Sequence, residues 1–257
     1  MNRSLIRRLL VIAATVLTIV MNALANIIPF NNLSTGEVSA EFDNYFVPDG
    51  YVFSIWGVIY IGLVLYSIYQ MLSRQADNPR LKAIAPAYIV SALANSIWLL
   101  LWHFKLLPWS MLTMLVILAC LLVIYLRLGV GRSSVSKGER WLVHLPFSIY
   151  LGWISVATVA NAGAWLSQTS WNGFGISAPV WAVMLMFVAL VLAALMAYIR
   201  RDTAYNLVIV WALVGIGVNK LNTPPTVVAI MAFVFAAMTL VCWGLVLAIK
   251  PGKNRLA

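Results

Sequence analysis

The chain has 257 residues, of which 63% are hydrophobic and only 9% charged, and its mean hydropathy is +0.94. A soluble domain carries roughly a quarter charged residues, so the composition excludes one and specifies a polytopic membrane protein. The net charge of +10 does not make a nucleic-acid face, because the cations sit in short clusters between apolar runs.

An apolar run of roughly 20 residues crosses the hydrocarbon core as a helix. Eight such runs occur in order: Leu9–Ile28, Gly50–Met71, Ala83–His103, Pro108–Leu126, Trp141–Leu166, Ile176–Ile199, Thr203–Asn219 and Pro225–Ile249. The expected fold is an all-α bundle of eight transmembrane helices. With the N-terminus inside, the inner segments hold 15 Lys and Arg and the outer segments only Lys105 and Lys220. That bias predicts cytoplasmic N- and C-termini. Arg3, Arg7 and Arg8, an apolar run and Ala23-Leu24-Ala25 have the outline of a cleavable leader; the helix reads as retained.

The first outer loop, residues 29–49, is the long one, with Glu37, Glu41, Asp43 and Asp49 and no Lys or Arg. It reads either as a lid over an outward-opening pocket or as a solvated acidic connector. It leads through Pro48 and Gly50, suited to a helix start, into FVPDGYVFSIWGVIYIGLVLYSIYQ (46–70). There Phe53, Trp56 and Tyr60 share one face, and Gly57 beside them offers a close approach. This ledge packs a neighbouring helix or floors a flat apolar ligand site.

The inner loop from Gly129 to Arg140 is rich in Gly, Ser and charge, the best hinge in the chain. The fifth span is more polar and aromatic than a lipid-facing helix and is expected to face protein or a cavity. In the sixth, Ala189, Ala193 and Ala197 allow close packing within the chain or between protomers. All four outward-running helices carry Asn in their outer halves: Asn22 and Asn26, Asn95, Asn161 and Asn219. Singly these read as interhelical bonds; as a set beneath the loop they read as a polar layer lining a cavity.

Cys120 and Cys242 fall within apolar runs and are expected as free, buried thiols. His103 and His144 lack neighbours at metal-ligand spacing, so no metal site is expected. No phosphate loop, nucleophile elbow or HExxH occurs, and no acidic residue lies deep in a span to couple a proton or sodium ion.

Three segments resemble the translocator protein / tryptophan-rich sensory protein family, formerly the peripheral benzodiazepine receptors. Pro48, Phe53, Trp56-Gly57 and Tyr60 match the opening of the family's second helix. Asn95 and Trp98 match the Asn-x-x-Trp of its third. Trp153, Ala157-Thr158, Asn161 and Trp165 match the Trp-x-x-x-Ala-Thr-x-x-Asn-x-x-x-Trp run of its fifth. The resemblance covers roughly residues 1–168, a five-helix bundle with its lid at 29–49; residues 169–257 add three helices and a short tail. The chain departs from the pattern at Pro48, a single proline where the family has a pair, at Trp102-His103 and at Pro146.

The resemblance implies a bacterial inner-membrane protein and a pocket in the five-helix bundle for porphyrins, sterols and synthetic aromatic ligands. By motif match Trp56, Tyr60, Asn95, Trp98, Trp153 and Ala157 line it; Pro48, Phe53 and Asn161 complete the expected ligand-binding set. No cofactor is required, although protoporphyrin IX or haem is a candidate ligand; the acidic loop suits porphyrin carboxylates poorly. The expected partners are the bilayer, a small hydrophobic ligand and a second copy in a homodimer, with no nucleic acid. The chain reads as a receptor or sensor rather than an enzyme. The alternatives are a secondary transporter of a small hydrophobic molecule and a light-dependent porphyrin-degrading enzyme.

Overall fold

The computed structural model describes residues 3–27, 30–42 and 44–249. Ile28, Pro29, Asp43, Lys250, Lys253 and Arg255, used above for span ends, loop charge and orientation, lie outside the described residues. Every regular element among the described residues is helical: α1 (Arg3–Ile27), α2 (Thr35–Ala40), a 3-10 turn (Gly50–Ser54) running into α3 (Ile55–Met71), α4 (Pro79–His103), α5 (Leu107–Leu128), α6 (Lys137–Glu139), a π turn (Arg140–His144), α7 (Leu145–Ser167), α8 (Ala178–Arg200), α9 (Thr203–Lys220) and α10 (Val227–Ala248), with further short 3-10 turns at Ser73–Gln75 and Gly173–Gly175. Eight of the helical segments are long and apolar enough to span a bilayer. This is a multi-pass membrane protein, and the eight runs agree with the eight spans in number and order.

Polar caps extend the spans beyond their apolar runs. The Asn78 side chain accepts from the Arg80 and Leu81 N–H groups, and Pro79 occupies the first turn, so α4 begins before Ala83. The Ser136 hydroxyl accepts from Glu139 N–H and starts the fifth span ahead of Trp141.

Helices α1, α3, α4, α5 and α7 close into one bundle. α4 packs on α1 and α5, α5 on α7, and α3 bridges α1 and α7. The α3–α7 approach depends on Gly62, where a Cβ would lie 2.8 Å from the Pro146 ring; Gly57, expected to fill that role, faces open space. Thr15 of α1 hydrogen-bonds Ser67 of α3 and Tyr88 of α4, each at 2.6 Å, and Asn22 donates to Asn95 at 2.9 Å. Such bonds contribute on average about 0.6 kcal/mol each in membranes.

The last three helices join this bundle through α9, which packs on α7 and on the 3-10 turn, while α8 and α10 pack on α9 and on each other. Ala189, Ala193 and Ala197 are buried within the chain, so that stripe is not a surface for a second copy. Cys120 and Cys242 are free but half-buried rather than buried.

At the end opposite the long loop, Glu139 is buried and clamped by Arg80 through Nε at 2.5 Å and Nη2 at 3.1 Å. Asn78 adds a third bond at 3.3 Å. Glu139→Gln keeps the shape but removes the charge from these bonds. It is expected to lower unfolding stability by about 1.5–3 kcal/mol, read as a drop in melting temperature of the detergent-purified chain.

Candidate functional site

The long loop folds over one end of the five-helix bundle. A capping box forms α2: Glu37 N–H donates to the Ser34 hydroxyl, and the Ser34 N–H donates to Glu37 Oε2 at 2.7 Å. That backbone N–H holds the Glu37 carboxyl below its ordinary pKa. The loop's core-facing residues, Val38, Phe42, Phe46 and Val47, are buried.

Three sets of contacts hold it down. Toward α4, the Thr35 hydroxyl lies 3.2 Å from His103 Nε2, Trp102 Nε1 donates to Thr35 O, and Glu41 pairs with Lys105 at 2.7 Å. Toward α7, Asn44 donates to Ala160 O at 3.1 Å; a Cβ on Gly163 would lie 2.3 Å from that amide. Toward α9, Asp49 N–H donates to Gly215 O at 3.0 Å, and Trp211 Nε1 donates to Val52 O at 3.1 Å. The acidic side chains thus cap and pair: Glu37 caps α2, Glu41 binds Lys105, and Asp49 caps the 3-10 turn.

Beneath the loop lies an aromatic cluster centred on Trp56. Its ring stacks on Tyr60 at 5.6 Å and meets Trp98, Tyr150 and Trp153 at 6.1, 5.9 and 6.2 Å. Phe53 stands edge-on to Trp153 at 5.6 Å, and Trp98 stacks on Trp102 at 5.9 Å. These spacings suit favourable offset and edge-to-face pairs. Asn161 orients Trp98 by accepting its indole N–H at 2.9 Å while donating to the Ser110 hydroxyl at 3.0 Å.

These rings surround a cavity of about 20 Å³, room for roughly one water. Of the expected site residues, Pro48, Phe53, Trp56, Trp98, Trp153, Ala157 and Asn161 line it; Tyr60 and Asn95 do not. Tyr60 lies behind Trp56, and Asn95 is fully buried and turned to Asn22. The polar layer therefore divides: Asn22 and Asn95 bond helix to helix, and Asn161 reaches the cavity. Ser39, Trp102, Val156 and Ala160 also line it, and none of them belongs to the expected ligand-binding set. Trp102 follows Trp98 by one helical turn, a signal present in the sequence.

The fully enclosed Trp153 indole N–H has no hydrogen-bond partner among the described residues. An unmet buried donor costs about 1–3 kcal/mol, and this one belongs to a cavity-lining ring. Among the described residues no cluster of three His, Cys, Asp or Glu is placed to hold a metal.

A family model described as TSPO-like protein matches residues 8–245. The chain belongs to the TSPO-like protein family. The match runs through α8, α9 and most of α10, beyond the span that carries the three motifs. No curated protein and no solved structure matches the chain. In this TSPO-like protein α9 is also the outer support of the loop. Gly215 sits so close to the 3-10 turn that a Cβ there would lie 2.2 Å from Val52 Cγ2 and 3.2 Å from Pro48. Tyr45 extends the contact, donating to Pro224 O at 3.3 Å beneath the Lys220 ammonium, 5.3 Å from its ring.

Proposed function

We propose that this TSPO-like protein binds a flat, hydrophobic, hydrogen-bond-accepting molecule of tetrapyrrole or sterol-like type in the Trp56 cavity, and that the loop lifts to admit it. The observation that carries this reading is a cavity walled by five aromatic rings, one of which, Trp153, has an enclosed indole N–H with no hydrogen-bond partner among the described residues. Trp153 supplies the donor, Trp56 and Trp98 offer stacking faces, and Ala157 and Ala160 leave one wall low. Ligand pockets usually enclose about 300–1000 Å³, so the closed cavity of about 20 Å³ has to expand. The loop is the segment built to allow this, because it is held by separate local contacts rather than by a continuous helix. The cation count supports placing this end on the outer side of a bacterial inner membrane.

Titration of the purified chain with protoporphyrin IX, followed by Trp fluorescence, tests the reading. Saturable quenching is expected. Trp153→Phe keeps a ring but removes the donor, and should weaken binding about two- to tenfold, the value of one hydrogen bond. Asn95→Ala lies outside the cavity and should leave affinity near that of the parent. Absence of saturation, or equal affinity in Trp153→Phe, would sink the proposal for this ligand class.

A further inference from the structure

A second and much larger cavity, about 1170 Å³, lies outside the five-helix bundle, between α3, α7, α9 and the loop that follows α5. One end is lined by Arg132, Arg140, Arg200 and Arg201, with the Ser133 and Ser134 residues beside them. Away from that end its walls are mainly apolar, including Val58, Ile149, Leu207 and Trp211, with Ser54 and Ser148 among them. Thr203 and Trp211 bracket the stretch of α9 along it, a rise of about 12 Å at 1.5 Å per residue. The hydrocarbon core is about 30 Å thick, so the groove has roughly the depth of one leaflet.

The charge at the mouth is poorly balanced. Among the described residues none of the four guanidiniums lies within 4.0 Å of a carboxylate. Arg200 rests over the Tyr125 ring, 5.6 Å from its centroid, and points one N–H at Val130 O at 3.5 Å. Arg201 donates to Ile249 O. The one acid in the lining, Asp202, is already engaged: the Tyr125 and Ser148 hydroxyls donate to Oδ2, and Tyr205 N–H donates to Oδ1 as the α9 cap. Four cations therefore meet one occupied carboxylate.

The loop bearing Arg132 is fixed against α8. Gly131 adopts φ +74, and a Cβ there would fall 1.8 Å from Arg200 O. Only glycine permits this approach, which brings Arg132 and Arg200 to the same rim.

We infer that this groove binds an anionic phospholipid, with the headgroup phosphate at the arginine rim and the acyl chains along α3, α7 and α9. A neutral lipid would leave the rim uncompensated, and a free anion would leave the apolar walls uncovered. Guanidinium forks match phosphate oxygens in geometry as well as charge. Each Lys or Arg near an anionic headgroup contributes on the order of 1 kcal/mol. The lipid would seal the seam where α9 meets α3 and α7.

The test uses the full chain in neutral detergent, incubated with equal amounts of dioleoylphosphatidylglycerol and dioleoylphosphatidylcholine. Retained lipid is counted by native mass spectrometry. The parent is expected to retain phosphatidylglycerol preferentially. Arg132→Gln/Arg140→Gln/Arg200→Gln should cut that preference at least about tenfold. Arg74→Gln/Arg127→Gln/Lys137→Gln removes equal charge outside the groove and should preserve it. Val58→Trp, at a lipid-exposed wall position, fills the groove without altering charge and should reduce retention of the lipid. Excess inorganic phosphate should not displace it. An unchanged preference in the groove-arginine variant overturns the inference. So does an equal loss in the charge control, which would mean diffuse attraction. Displacement by phosphate with no effect of Val58→Trp would mean a simple anion site and overturns it too.

Discussion

Trp56→Ala is expected to lower unfolding stability by about 3–5 kcal/mol. Trp56 is 7% exposed and has four aromatic neighbours within 6.2 Å. Its removal costs transfer energy and leaves a void that the surrounding rings fill only in part. The void would be apolar and ring-lined, the type of engineered cavity that takes up small aromatic molecules. Indole should therefore raise the melting temperature of Trp56→Ala well above the small change it produces in the parent. A melting temperature within a degree or two of the parent, with no response to indole, would mean that Trp56 is not the centre of this packing.

Gly215→Ala should also be severe, at about 3 kcal/mol, the upper part of the range for overpacking. The added methyl would lie 2.2 Å from a branch of Val52, a fully buried residue. The neighbour is stiff at χ1, so α9 and the 3-10 turn must separate. Separation would stretch both the Asp49–Gly215 and the Trp211–Val52 hydrogen bonds. The decisive measurement is a double-mutant cycle. Val52→Ala alone leaves a small void and destabilises; combined with Gly215→Ala, the two changes should offset each other. Strict additivity of the two losses would show that the collision is not the cause.

The architecture was legible because bilayer thickness fixes the length of an apolar run, and cations punctuate the runs. The Ser34-x-x-Glu37 box that builds α2 stands in the sequence, but a count of charge along the loop does not separate caps and ion pairs from a solvated acidic connector. Helical spacing correctly put Phe53 and Trp56 together. It does not say how far along an axis a neighbour stands, and Tyr60 falls behind Trp56 rather than at the cavity. Asn95 stands away from the cavity for a related reason. Its face was right, but its partner Asn22 lies on α1, and no local pattern announces a contact across 73 positions. Gly57 and Gly62 lie on one helix, and only the position of Pro146 distinguishes the one that makes a close approach. Asp202 follows Arg200-Arg201 immediately before an apolar run, a helix-cap pattern. Its buried partners Tyr125 and Ser148 come from two other helices.

The loop's three sets of contacts have a kinetic consequence. If the loop lifts as proposed, a ligand arriving at the closed protein meets a space of about 20 Å³ and enters only once the loop opens. The observed association rate should rise with ligand concentration and then level off at the opening rate, whatever the ligand. Measured affinity would then be weaker than intrinsic affinity by the fraction of molecules open at any moment. Chemically different ligands would thus share one maximal rate of capture and differ mainly in how long each is retained.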